Sequence, residues 1–369
     1  MKGRRRSKSY AVSCLVTVLA VLTGVAIAEV YLRIDGHYST WTERNQGRYV
    51  SPYAMKLREP WINAYSGEFA VQQPEFLFAR RVNSIGLPDE EIEPRHDPGD
   101  LLIVALGDSF TVGQGARFGD DYPNILEQLV ARSAHRNVRV LNAGVAGSDP
   151  VFAYQLLKRK LIGLSPDAVI LLINDSDLED IAFRGGFDRF NADGSLNLGE
   201  REPWFSEWYR LSHVVRAIAF GLGYDSFLQR KKDTQDRKKN YSPLVIEEVS
   251  KKIQDLGLKH GFQFYVFWHP MRETAKELLR QGTSSDPNFS ALKQQLERAG
   301  IQAFDTTPAI MRGVRDVGME KIYRPIDKHF SPYGYKLLSR ALLERIREWI
   351  KPRQFVNKNG IVIWEFSAP

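Results

Sequence analysis

A chain of 369 residues, 43% hydrophobic and 26% charged, has room for two domains or one large domain with insertions, and its composition excludes a disordered or low-complexity scaffold. A single cysteine excludes a disulfide framework and a cysteine-rich zinc site. The formal charge of +7 is concentrated in Lys2, Arg4, Arg5, Arg6 and Lys8; without these five the rest of the chain stands at +2, so no basic face points to nucleic acid.

Directly after the basic cluster comes an uncharged run of 20 residues, Ser9 to Ala28. At about 1.5 Å per residue a helix of this length spans roughly 30 Å, the thickness of a bilayer's hydrocarbon core. The positive-inside rule then makes residues 1–8 a cytoplasmic tail and residues 9–32 a single-pass signal-anchor. All that follows lies on the extracytoplasmic side of a bacterial-type cell membrane, in the periplasm or at the cell surface. The rival is a cleaved secretory signal ending at Ala26-Ile27-Ala28, but apolar regions of such signals run about 7 to 15 residues. Too few apolar residues precede Cys14 for it to be a lipid-bearing cysteine.

Residues 33–98 show no sustained period and read as a stalk and irregular lead-in, ending in the turn-rich segment Glu93 to Gly99. An alternation of strands and helices then occupies residues 99–350. Leu101–Leu106 is an apolar strand closed by Gly107, and Tyr122–Ala134 has helical spacing. Val138–Leu141 is a second strand, followed by a helix from about Pro150 to Leu164. Ala168–Ile173 is a continuous apolar run of the kind buried on both faces of a sheet. Residues 178–242 interrupt the rhythm as an insertion. They hold a hairpin signal at Ala192-Asp193-Gly194, an aromatic stretch at 204–220 and a charged loop, Arg230 to Lys239. The alternation resumes with helix Pro243–Lys259, strand Phe262–Trp268, a helix before Gly300, strand Ile301–Phe304 and a last helix, Pro332–Ile350. Residues 351–369 form a C-terminal extension. This order predicts an α/β domain with a parallel sheet covered on both faces.

In such a sheet the ligand crevice lies outside the carboxyl ends of the strands. The residues at those ends are Gly107-Asp108-Ser109-Phe110-Thr111, then Asn142 to Ser148, then Asn174-Asp175, His269 and Asp305. Asp327-Lys328-His329 precedes the last helix. Together they hold what acyl transfer needs. A serine hydroxyl becomes nucleophilic when a base such as His329 takes its proton. An acid such as Asp327 fixes the imidazole tautomer. The N–H groups of Ser109 and Gly147 and the amide of Asn174 can stabilise an oxyanion. Gly144 is the alternative second donor, and Asp305 the alternative acid.

Gly107-Asp108-Ser109-Phe110-Thr111, the Asn142 to Gly147 run, Asn174-Asp175 and Asp327-x-His329 resemble, in order, the four blocks of the SGNH (GDSL) hydrolase superfamily. The match spans about Leu101 to Trp349. The resemblance implies a flavodoxin-like three-layer α/β/α sandwich, with Ser109 as nucleophile, Gly147 and Asn174 completing the oxyanion hole, and Asp327 and His329 completing the triad. It implies a serine esterase acting on an ester-bearing small molecule, lipid or glycan, without a metal or cofactor. Two alternatives stand beside it: an O-acyltransferase acting on an envelope glycan with the same serine, and an inactive binding module that keeps the fold. The third block lacks the glycine that usually precedes Asn-Asp, and the last is one residue shorter than the usual Asp-x-x-His.

Other features carry plainer readings. Ser109 and Asn174 could be helix caps, and His269 a wall of the pocket. His260 reads as a helix C-terminal cation, whereas His37, His96, His135 and His213 stand in no constellation. The acidic group Asp175, Asp177, Glu179 and Asp180 lacks the glycine of a calcium loop, and Gly113-x-Gly115 lacks the third glycine of a dinucleotide fingerprint. Trp204, Phe205, Trp208 and Tyr209 read as a small core ahead of a sugar platform.

Overall fold

The structure, a computed structural model, describes residues 2–38, 67–92, 100–134, 137–191, 205–222, 237–350, 353–356 and 362–365. The expected hairpin at 192–194, Trp204, His96, His135 and the charged run 230–236 lie outside them. The chain divides into two compact units, Met1–Arg58 with Leu198–Lys232, and Glu59–Asn197 with Asp233–Pro369.

The larger unit begins with an antiparallel hairpin, β1 (Gly67–Gln73) and β2 (Phe76–Val82). Here the sequence reading of 33–98 as irregular is corrected. Pro74-Glu75 makes the two-residue connection, and it carries none of the Asn-Gly or Asp-Gly chemistry by which such turns are read from sequence. The chain beyond β2 is also part of the core. Asn83, Leu87 and Asp89 are buried, and the Asp89 carboxylate pairs with Arg139 and accepts the Asn142 N–H at 2.6 Å.

Five parallel strands follow: β3 (Leu101–Gly107), β4 (Val138–Gly144), β5 (Ala168–Ile173), β6 (Gln263–Trp268) and β7 (Ala303–Asp305). Their order in the sheet is β4-β3-β5-β6-β7, the flavodoxin-like doubly wound arrangement. Every residue of β3 and β5 is buried, which is why both read as unbroken apolar runs. Alternate residues serve two cores. Val104, Leu106, Val169, Leu171 and Val266 pack with helices Pro150–Leu156, Ser242–His260 and Pro287–Arg298. Ile103, Ala105, Ile170, Leu172 and Phe267 pack with Tyr122–Ala134, Thr307–Val317 and Pro332–Ile350. Each fully buried Leu, Ile or Phe stabilises this sandwich by about 1.5–3 kcal/mol.

Some element boundaries differ from expectation. The helix from Pro150 continues through a π-turn, Leu157–Leu161, and a 3₁₀ turn, Ile162–Leu164. Where one helix was expected before Gly300 there are two, Arg272–Arg280 and Pro287–Arg298, because Asp286 and Pro287 start a new one. Past the last helix, β8 (Arg353–Val356) and β9 (Val362–Glu365) pair antiparallel.

The smaller unit contains the N-terminal helix Lys2–Asp35 and two short helices, Ser206–Leu211 and His213–Gly221. The stretch Val12–Asp35 is long and apolar enough to cross a membrane. Hydrogen bonds join the three helices. The Glu29 carboxylate accepts from Ser212 Oγ at 2.7 Å and from the His213 and Val214 N–H groups at 3.0 Å each. The Arg33 guanidinium donates to Glu29 and to the Leu211 carbonyl, both at 2.8 Å. Arg216, buried, donates to the carbonyls of Tyr209, Arg210 and Tyr38 at 2.8–2.9 Å. The expectation of a small aromatic core fails at Trp208, which is 61% exposed.

Candidate active site

Ser109 opens a single helical turn, Ser109–Val112, directly after β3. The capping side chain of that turn is Asp108, which accepts the Phe110 N–H at 2.8 Å, so the Ser109 hydroxyl is left for other work. The turn lies close against the end of β4. A Cβ on Gly144 would come within 2.4 Å of the Val112 nitrogen, so only glycine fits there. The Gly144 N–H is itself buried and bonded to Asn142 Oδ1 at 3.1 Å. The Gly147 N–H, by contrast, has no acceptor among the described residues, and its φ of +69° is one that glycine adopts without strain. Of the two candidate donors, Gly147 is the available one.

Asn174 follows β5, on the other side of β3. Its Oδ1 caps the next helix by accepting the Ser176 N–H at 2.8 Å. Its Nδ2 donates to Asp108 Oδ2 at 3.1 Å, which ties Asn174 to the serine turn and leaves one amide N–H uncommitted among the described residues. Burial raises the Asp108 carboxyl above its usual range, against the hydrogen bonds from Phe110 and Asn174 that favour its charge.

The loop before the last helix closes the arrangement. His329 Nε2 lies 2.7 Å from Ser109 Oγ, and His329 Nδ1 lies 2.8 Å from Asp327 Oδ1. Three side chains separated by up to 220 residues thus form one continuous hydrogen-bonded chain. Asp and His two apart face the same way on extended backbone, but this segment is not extended. Lys328 sits at φ +72°, and this left-handed turn brings Asp327 and His329 to the same side. The conformation costs a non-glycine residue roughly 1–2 kcal/mol. Contacts around the loop offset it: the Lys328 N–H bonds the Arg324 carbonyl at 3.0 Å, and Lys328 Nζ meets Glu273 at 3.1 Å.

Two residues that the sequence did not flag hold Asp327 in place. Gln114 Nε2 donates to Asp327 Oδ2 at 2.9 Å, while the Gln114 carbonyl accepts from Tyr335 Oη at 2.7 Å. Glu75, at the turn of the β1–β2 hairpin, accepts the backbone N–H groups of Ile326 and Asp327 at 2.8 and 2.6 Å. Gln114 stands between Gly113 and Gly115 just after the serine turn, the one sequence signal available; Glu75 has none. Burial pushes the Asp327 carboxyl up, but its bonds to His329 and Gln114 and the His329 charge outweigh this and hold it below the usual carboxylate value. It is therefore ionised at neutral pH. Truncating Glu75 to Ala should lower kcat roughly 10- to 100-fold with KM little changed, since a displaced loop misaligns the acid. Glu75→Gln, which keeps an acceptor oxygen, should restore most of the rate. Equal activity in all three proteins would show that the clamp is idle.

The remaining candidates lie apart from this chain. Asp305 ends β7 and accepts the Thr307 N–H at 2.8 Å, at the start of the next helix. His269 is fully buried behind the serine turn, its ring 4.3 Å from that of Phe110 and its Nδ1 3.2 Å from the Pro270 carbonyl. Burial holds it down to about 3, so it stays neutral. Three of the acidic group are engaged in structure: Asp175 accepts from Thr274, Asp177 from the Asn174 N–H, and Asp180 pairs with Arg184.

The sequence profile of the GDSL-like lipase/acylhydrolase family matches residues 105–337. The chain belongs to this family. It is therefore a hydrolase acting on ester bonds, and its parallel sheet is that of the SGNH fold. No curated protein sequence matches it. Among solved structures, the lipase Lip_vut3 from a goat rumen metagenome is 15% identical with a TM-score of 0.41, over 66% of this chain and 96% of that one. A lipase/acylhydrolase from Enterococcus faecalis is 16% identical with a TM-score of 0.38, over 69% of this chain and 100% of that one. A tryptophan-to-isoleucine variant of Axe2, an acetyl xylan esterase from Geobacillus stearothermophilus, is 15% identical with a TM-score of 0.41, over 67% of this chain and 94% of that one. The segment that matches the GDSL family contains Ser109, Gly147, Asn174, Asp327 and His329, whereas Glu75 precedes it.

Proposed function

We propose that the protein is a membrane-anchored serine esterase that removes an acyl or O-acetyl group from an envelope carbohydrate or lipid. The observation that carries this reading is the unbroken hydrogen-bond chain from Asp327 through His329 to Ser109. As Ser109 Oγ attacks the ester carbonyl, its proton passes to His329 Nε2, and the resulting imidazolium donates through Nδ1 to Asp327. The tetrahedral oxyanion accepts from the N–H groups of Ser109 and Gly147 and the uncommitted N–H of Asn174. Collapse expels the alcohol, which takes the proton from Nε2. Water then enters by the same route in reverse and frees the acid and Ser109.

The test is incubation of the full chain with an activated acetyl ester, with and without a glycan acceptor. Acetate release that is independent of acceptor supports hydrolysis. Acetylated glycan as the main product would make the protein an O-acyltransferase, and no turnover would leave a binding module. Within this mechanism Asn174→Ala should lower kcat by roughly 10² to 10³ while KM moves little, because the donor acts on charge that develops only in the transition state. A wild-type rate in that variant would reduce Asn174 to a helix cap.

Anchoring by residues 9–32 is supported by the continuity of the helix past Ala28 to Asp35 and by the bonds from Glu29 and Arg33 to residues 211–214. With the basic tail inside, the hydrolase domain stands on the extracytoplasmic side. Sequencing of the membrane-bound protein should find its original N-terminus; a mature chain starting at Glu29 would show that the segment is a cleaved signal.

A further inference from the structure

The helix pair Ser206–Leu211 and His213–Gly221 belongs to the interruption of the α/β alternation and takes no part in the site described above. Its exposed side chains are unusual for a surface meeting only water: Trp208 is 61% exposed, Leu211 53%, Ile218 56% and Leu222 68%. The buried side of the second helix carries His213, Arg216 and Ala219, so Ile218 and the C-cap Leu222 face outward while two polar side chains, His213 and Arg216, face in. That inversion is the reverse of an ordinary surface helix. Four large apolar side chains left exposed on two consecutive short helices mark a surface that something covers.

The covering medium follows from where the pair is fastened. Glu29 is the first charge after the apolar run, and it is the residue whose carboxylate takes the Ser212 hydroxyl and the His213 and Val214 N–H groups. Arg33, one turn on, takes the Leu211 carbonyl. If the run from Ser9 to Ala28 fills the hydrocarbon core, Glu29 to Arg33 lie within about 8 Å of its edge, by the rise of a helix. The short helices are therefore tied to the level at which hydrocarbon gives way to head groups. Val30, Tyr31 and Ile34 of the long helix are exposed at the same level and extend the apolar surface. Tryptophan favours this depth, where its ring is apolar and its N–H remains wet. Arg216 satisfies the three carbonyls of Tyr209, Arg210 and Tyr38 internally, as backbone near lipid requires.

We propose that the pair Ser206–Leu211 and His213–Gly221 lies in the interfacial layer of the membrane, with Trp208, Leu211, Ile218 and Leu222 against the acyl chains and Glu29 and Arg33 fixing its depth. This rests on the anchor reading of residues 9–32 given above. The protein then holds its membrane by two elements, one crossing it and one lying in its outer surface.

The lone native cysteine makes the test direct. In a Cys14→Ser background, single cysteines are placed at Trp208, Leu211, Ile218 or Leu222, at Val21 within the span, and at Leu258, an exposed residue of the hydrolase unit. Each full-length protein is labelled with an environment-sensitive fluorophore and reconstituted into vesicles of phosphatidylcholine and phosphatidylglycerol carrying spin labels either near the head group or deep in the acyl chain. Hydrolysis of the activated ester confirms the fold of each. The expected result is strong quenching of the four interfacial positions by the shallow label, quenching of Val21 by the deep label, and none at Leu258. Quenching at Val21 with none at Trp208 and Ile218 would overturn the proposal while leaving the anchor intact; a soluble partner or a second copy of the chain on this face gives that pattern. An unquenched Val21 would remove the anchor as well. Equal quenching at Leu258 would reduce the result to adsorption of the whole surface and overturn the proposal.

Discussion

Ser109→Ala and His329→Ala are each expected to lower kcat by roughly 10⁶, about 8 kcal/mol of transition-state stabilisation, and the double variant to lose little more than either one. The reason is the 2.7 Å contact between Oγ and Nε2. The hydroxyl is nucleophilic only while the imidazole takes its proton, and the imidazole has nothing to do without the hydroxyl. Independent contributions would multiply to roughly 10¹². The measurement is kcat on an activated acetyl ester for the four proteins, with thermal unfolding to confirm that each is folded. Losses that multiply, or a single variant within about tenfold of wild type, would mean the two residues do not act as a unit.

The second large effect separates two carboxylates. Asp327→Asn should lower kcat by roughly 10⁴, because the amide offers an N–H where Nδ1 must donate and so drives the imidazole into the wrong tautomer. Asp305→Asn should leave kcat unchanged, since Asp305 accepts the Thr307 N–H at the start of the next helix and lies outside the Ser109–His329 chain. The reverse outcome would move the acid to β7 and void the geometry assigned to Asp327. A stability effect accompanies the first substitution. Because the folded-state carboxyl of Asp327 is held below its ordinary value, it contributes stability above the unfolded pKa, and that contribution disappears as pH falls through the folded one. Thermal unfolding of Asp327→Asn should therefore differ from wild type near neutral pH and converge with it in strong acid.

The alternation that fixes the sheet is legible in the chain because β3 and β5 are buried on both faces and leave continuous apolar runs such as Ala168–Ile173. The strand ends are legible for the same reason: polar residues that interrupt such runs, as at Asp108-Ser109 and Asn174, mark where backbone leaves the sheet. What the sequence conceals is contact made through backbone groups at long range. Glu75 reaches N–H groups 251 and 252 residues away, and no periodicity or composition encodes that. Lys328 conceals itself differently, since lysine is not a residue from which a left-handed turn is read. Trp208 deceives through the opposite error. An aromatic cluster is usually core, and here one member points outward.

The hairpin that carries Glu75 separates the boundary of the family from the boundary of the working unit. A fragment beginning at residue 99 would keep Ser109, His329, Asp327 and all five parallel strands. It would lose the carboxylate that gathers the Ile326 and Asp327 amides, and with it Asp89, which fastens the edge strand β4 through Arg139 and the Asn142 N–H. Two backbone donors beside the acid would then seek water, and the strained turn at Lys328 would lose part of what holds it. Shortening the protein to its recognisable core should therefore leave a domain that carries every reactive group and aligns them poorly. Transplanting this site onto another scaffold requires the hairpin to travel with it.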